Sequence, residues 1–173
     1  LLVKINRSKF DELDDFSLGS ACFDPMIQTY KETRMFGGDV IQFYHDLTVG
    51  QQALFMFRIY YDHVHKSLED LYWWSAYFMA QGRWAALKKG LIHLEDQDAL
   101  KLFEDIDAFL SKRNHPRGLE NFDVSSRDLE SDPELFSTFK TFYERYQENT
   151  PKTIERIGIY IRSHSSEFIE IIN

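Results

Sequence analysis

The strongest constraint on this chain lies in residues 49–81, where two helix-length segments are apolar around most of their circumference. Ala53-Leu54-Phe55-Met56-Phe57 and Leu71-Tyr72-Trp73-Trp74 put large apolar groups on consecutive positions. A helix that is apolar nearly all round belongs in the middle of a bundle. Both segments carry start signals. Thr48 with Gln51 three residues on is a capping box, in which each side chain satisfies an orphan backbone donor of the first turn. Ser67 with Asp70 repeats the arrangement, and Gly82 follows the second segment as a stop. The expectation is a central hairpin over 49–81, with Phe57 and Trp74 in the core.

The flanking sequence reads as helices added around that hairpin. Asp24-Pro25 pairs an N-cap residue with Pro at the first helical position and predicts a helix over about 25–35, ended by Gly37-Gly38. Asp39 caps a short continuation through Val40, Ile41, Phe43, Tyr44 and Leu47. Residues 83–93, with Trp84, Leu87 and Leu91, form a further short helix. Leu102, Phe103, Ile106, Phe109 and Leu110 recur at helical spacing over about 97–111. Asp132-Pro133 opens a helix striped with Leu135, Phe136, Phe139, Phe142, Tyr143 and Tyr146. Thr150-Pro151 reads as a third start, with Ile154, Ile157, Ile161 and Phe168 continuing a core stripe. Strand signals are nearly absent. Residues 111–131 are the one long irregular stretch, and a loop of about 20 residues is uncommon inside a compact domain unless it is functional or mobile. The predicted fold is all-α, a single domain over 1–173, built as an irregular bundle of about six or seven helices.

Composition then excludes whole classes of function. In 173 residues there are 15 Phe, 9 Tyr and 3 Trp, ample apolar area to offset ordering, so intrinsic disorder is excluded. No charge-free apolar run approaches the length of a membrane span, which excludes a transmembrane helix. The formal net charge of -8 argues against direct nucleic-acid binding, which needs a basic field. Cys22 is the only cysteine, so neither an internal disulfide nor a cysteine zinc site forms; with no cationic neighbour in sequence it reads as a buried, inert thiol. That suits a reducing cytoplasm. The opening Leu1-Leu2-Val3-Lys4 reads as a trimmed start and not as a signal peptide.

One polar constellation interrupts the apolar hairpin. Arg58, Asp62 and His65 fall at i, i+4 and i+7 on one face, with His45 close before the helix. One reading is a polar pocket, in which Asp62 orients a histidine as base or ligand. The competing reading is an Arg58–Asp62 pair on the wet face, with His65 favoured by the helix C-terminus. His164, between Ile161 and Phe168, reads as a satisfied core or hairpin-contact histidine. None of the six histidines follows a Glu by three residues, and no two are four apart, so helical di-metal and zinc-protease motifs are absent. There is no nucleophile elbow, phosphate loop or dinucleotide fingerprint either. Hence no metal and no cofactor is expected, and the weight falls against catalysis.

The remaining feature is acidity. Glu95, Asp96, Asp98, Glu104, Asp105 and Asp107 cluster with only Lys101 between them, and Glu120, Asp123, Asp128, Glu130, Asp132 and Glu134 with only Arg127. Three functional expectations follow. The first is a non-catalytic cytoplasmic module that binds another protein, where one uncovered apolar helix face would also suffice for a homodimer. The second is a helical-bundle enzyme, or a small-molecule or metal binder, with a pocket near His45, Asp62 and His65. The third is an acidic decoy of a nucleic-acid-binding protein.

Overall fold

The computed structural model describes residues 1–172. The capping box predicted at Thr48 and Gln51 is complete: each side chain bonds the other residue's backbone N–H, at 3.2 Å both ways. It opens α4 (Val49–Val64), and Ser67, accepting from the Asp70 N–H, opens α5 (Leu68–Ala80). In α4 all of Ala53 to Arg58 is buried, as the apolar run requires. The hairpin is held from within by Tyr60, whose hydroxyl lies 2.7 Å from that of Ser75 with both residues fully buried. In α5, Leu71 and Tyr72 are buried, but Trp73 and Trp74 are only half-buried, so Trp74 is not the core residue expected. Its indole lies on a groove wall instead.

Helices α2 (Asp15–Met35), α3 (Val40–Asp46), α6 (Trp84–His93), α7 (Gln97–Lys112) and α9 (Pro133–Ser163) pack around this hairpin, with short α1 (Arg7–Glu12) and α8 (Asp128–Ser131). That makes nine helices among the described residues, more than the six or seven expected, and the fold is all-α as predicted. Helix α4 touches α2, α5, α6 and α9, which is why most of its circumference is apolar.

Two of the three Pro starts are not starts. Pro25 lies inside α2, whose true N-cap is Asp14, accepting from the Ser17 N–H at 2.7 Å. Pro151 lies inside α9, which runs through without a break. An internal Pro costs about 3 kcal/mol through its missing N–H and its clash with the preceding turn. Burial outweighs it here. Phe142, Tyr146, Thr150, Thr153, Ile157 and Ile161 form one buried stripe across Pro151, and Leu18, Cys22 and Met26 do so across Pro25. The Thr150 hydroxyl also bonds the Tyr146 carbonyl at 2.6 Å beside the interruption. Phe136, expected on the apolar stripe of α9, is 43% exposed.

The two ends of the chain meet in a feature the sequence reading lacked. Strand β1 (Val3–Asn6) pairs in parallel with β2 (Ile169–Ile172), Val3 opposite Ile169. The helical stripe predicted to reach Phe168 therefore stops at Ser163, and His164 is exposed, not core. The buried Gln51 fastens this joint by donating to the carbonyls of Leu1 and Glu167. Residues 111–131 are not one loop: they hold the end of α7, a 3₁₀ turn at Leu119–Asn121 and α8. They are pinned by Trp73, whose indole N–H donates to the Val124 carbonyl at 3.0 Å, and by Phe122 against Trp73 and Tyr77. No helix of the described residues is long and apolar enough to cross a membrane.

Candidate functional site

The predicted constellation on α4 does not assemble as a pocket. Arg58 is buried and its guanidinium lies over the rings of Phe16, Phe23 and Tyr61, at 4.7, 5.3 and 5.7 Å. It donates to the Ser20 hydroxyl at 2.7 Å and to Asp62 at 3.3 Å. That is a cation held by aromatic faces and tying α4 to α2, a packing role. His65 stacks on Tyr61 and its Nδ1 sits 2.8 Å from the Tyr61 carbonyl at the helix end. His45 is exposed at the end of α3 against Tyr44. No hydrogen bond or ring contact among the described residues joins His45 to Asp62 or His65. Asp62 alone faces a cleft, and its neighbour there is His63, one position from the residue the spacing singled out.

That cleft has a volume of about 720 Å³ and runs between α2 and α5, with α4 as its floor. From α2 come Phe23, Ile27, Tyr30, Lys31 and Arg34, a stripe at three- and four-residue spacing. The floor is Ile59, Asp62 and His63. From α5 come Trp74, Tyr77, Phe78 and Gln81, again at helical spacing, with Arg83 from the turn that follows and Val40 at the end beside α3. Three helices thus each present one regular face to a space that none of them fills.

Its chemistry differs from the rest of the surface. The imidazole of His63 lies flat on the Trp74 indole, centroids 3.7 Å apart and planes at 15°. Burial there holds the His63 pKa below the usual imidazole range, with Asp62 and Asp70 pulling it up and Arg83 pulling it down. Arg83 donates to the Tyr30 hydroxyl at 3.1 Å, bridging the two walls. Neither Lys31, Arg34 nor Arg83 forms an ion pair among the described residues, although nine other basic side chains do. The Gln81 side-chain oxygen is buried with no donor. In a chain of net charge -8 the cleft therefore sets three cations without ion-pair partners, against the one carboxylate of Asp62, beside aromatic walls. Lys31 and Arg34 also complement the C-terminal dipole of α2, which explains their position on the helix but not their freedom from carboxylates.

Beside the cleft the α2–α3 turn exposes apolar side chains. Met35, Phe36 and Ile41 are 70, 80 and 67% exposed, and they follow directly on Arg34 and Val40. The turn is fixed by Gly37 at φ 71° and by Gly38, where a Cβ would come within 2.9 Å of the Thr33 methyl. Sequence reading found each residue but not their meeting, because α2 and α5 are far apart in the chain.

Two other polar clusters are closed ties between elements. The Tyr72 hydroxyl donates to Asp128 at 3.0 Å and so accepts from His115 Nε2–H at 2.9 Å, joining α5 to the 113–131 segment. The Tyr160 hydroxyl donates to Glu167 and accepts from His93 Nε2–H at 2.9 Å, while Thr48 donates to the other Glu167 oxygen. Glu167 there sits at the start of α4, where the Gly50 backbone N–H helps hold its pKa down, behind the bonds from Thr48 and Tyr160. No group of three or more His, Cys, Asp or Glu among the described residues is placed to hold a metal ion. No protein-family model, curated protein or solved structure matches this chain.

Proposed function

We propose that this protein is a non-catalytic interaction module of the cytoplasm, and that it binds a partner protein in the groove between α2 and α5. One observation carries the reading: Lys31, Arg34 and Arg83 gather without carboxylate partners around one aromatic-walled groove, while nine of the other 17 Lys and Arg side chains form ion pairs. Charge mostly of one sign around an aromatic-walled groove is an arrangement that selects a complementary surface. The exposed Met35, Phe36 and Ile41, next in sequence to Arg34 and Val40, add apolar surface outside the cleft.

The alternatives have less support. A catalytic pocket needs His45, Asp62 and His65 around one cavity, and only Asp62 lines one. An acidic decoy needs free acids along one face. Asp105, Asp107, Asp132 and Glu134 are instead taken up by Arg145, Lys88, Arg117 and Arg113, and Asp96 is buried.

Native mass spectrometry of the protein purified gently from its host tests the reading. A partner protein carried by the wild type and lost from Arg34→Glu/Arg83→Glu is the expected result. A small molecule or metal carried equally by both, with no partner protein, would sink it.

A further inference from the structure

The proposed function leaves the partner's chemistry open, and the groove narrows it. Resting on that reading, we infer that the groove takes one amphipathic helix of a partner protein, with acidic residues flanking its apolar face.

The helical form follows from what lines the groove. Both walls and the floor are helices, whose backbone N–H and C=O groups are bonded internally, so no free edge is offered to an extended peptide. What they offer is side-chain ridges at three- and four-residue spacing, which the ridges of another helix interdigitate with. The wall on α2 runs from Phe23 to Arg34, roughly 16 Å at a rise of about 1.5 Å per residue, or three turns of a bound helix. In effect α4 is covered on its other sides by bundle helices and lacks one here.

The charge follows from position. Arg34 and Arg83 belong to opposite walls, with Lys31 one turn before Arg34. A helix lying in the groove with Ile27, Trp74 and Tyr77 against its apolar face would meet Lys31 and Arg34 along the α2 wall and Arg83 where it reaches across to Tyr30. Acidic residues there complete pairs that the chain itself leaves open. A basic or neutral helix would leave the cations unpaired and partly desolvated.

Selection of random 18-residue peptides displayed on phage against the intact chain is the test. The enriched peptides are expected to carry apolar residues at i, i+3 or i+4, and i+7 with Glu or Asp beside them. They should become helical when bound and shift the Trp74 indole N–H signal in NMR spectra. Binding should weaken at least about tenfold on Arg34→Glu/Arg83→Glu and return when the peptide's acids are changed to Lys. The far-UV circular dichroism of the double variant serves as the folding control.

The outcomes separate the two levels. Enriched peptides that shift Trp74 but are basic, neutral or extended would leave the groove as a docking site and overturn the acidic helix. Peptides that bind without moving Trp74 and ignore the double variant would overturn the groove reading itself. Self-association of the wild type that the double variant abolishes would make the occupant a second copy and overturn a foreign helix. Failure to enrich any peptide would overturn the inference as well.

Discussion

The Tyr60–Ser75 hydrogen bond ties the floor of the groove to one wall, and it gives a quantitative test of the core. Both residues are fully buried, and the Tyr60 ring meets Phe78, Trp84, Phe103 and Tyr146 edge-on. Tyr60→Phe keeps those ring contacts and removes only the hydroxyl. It also strands the Ser75 hydroxyl without water, so the expected cost is the hydrogen bond plus part of a desolvation penalty, about 1–2 kcal/mol. Removing both hydroxyls, as Tyr60→Phe/Ser75→Ala, should return most of that loss, because neither site then holds an orphan. Tyr146, on the same cluster, is the contrast. Its hydroxyl is buried with no partner, and burial pushes its pKa well above the ordinary phenol range. Tyr146→Phe should therefore be neutral or stabilising by up to about 1 kcal/mol. Urea unfolding followed by far-UV circular dichroism reads these differences as midpoint shifts at constant slope. The reasoning is refuted if Tyr146→Phe loses as much stability as Tyr60→Phe, or if the double variant is worse than both singles combined.

Asp96 is 2% exposed, caps α7 through the Ala99 N–H and accepts from Thr153 at 2.5 Å, so Asp96→Ala should cost about 2–4 kcal/mol in the same assay, and a cost below about 0.5 would discard the cap. Gly50→Ala would set a Cβ 2.5 Å from the Tyr160 ring and 2.8 Å from the Glu167 carboxylate, and an expected loss of about 1–3 kcal/mol should come with an altered Tyr160 ring environment in near-UV circular dichroism. Burial raises the Cys22 thiol pKa to about 12, so a disulfide reagent at pH 8 should leave the native protein unlabelled and react at once in denaturant. Burial holds the His115 pKa below its unfolded value, reinforced by Arg113, and the Nδ1–H formed on protonation would have no acceptor to donate to. A depressed folded-state pKa means stability that is present above about pH 6.5 and lost as pH falls through the folded value. His115→Gln should flatten that acid-side slope, and an NMR titration of His115 above pH 6.5 would contradict the sign.

What was legible in the sequence was local or periodic. The capping box at Thr48, the N-cap at Ser67, the stop at Gly82 and the apolar run Ala53–Phe57 of α4 are statements about a few adjacent residues, and each appears as read, save that the Asp70 side chain does not return the Ser67 bond. A cap or a breaker acts within one turn, so its physics needs no knowledge of the fold. Where local and distant terms opposed each other, the distant ones won. Pro25 and Pro151 carry the signature of helix starts, yet stripes buried against other helices run straight through them. Four-residue ends of alternating Val, Ile and polar residues are too short to announce strands, and β1 and β2 exist only because Gln51 and the chain turn at His164 bring the termini together. The candidate site divides in the same way. Asp62 was visible as a charge on an apolar helix, but helix geometry alone says only which face it shares. Which neighbour it meets, His63 on Trp74 and not His65, and the gathering of Lys31, Arg34 and Arg83 across α2 and α5, follow from how three helices pack. Packing joins residues distant in sequence, and no periodicity within one segment encodes the face that a second segment will present.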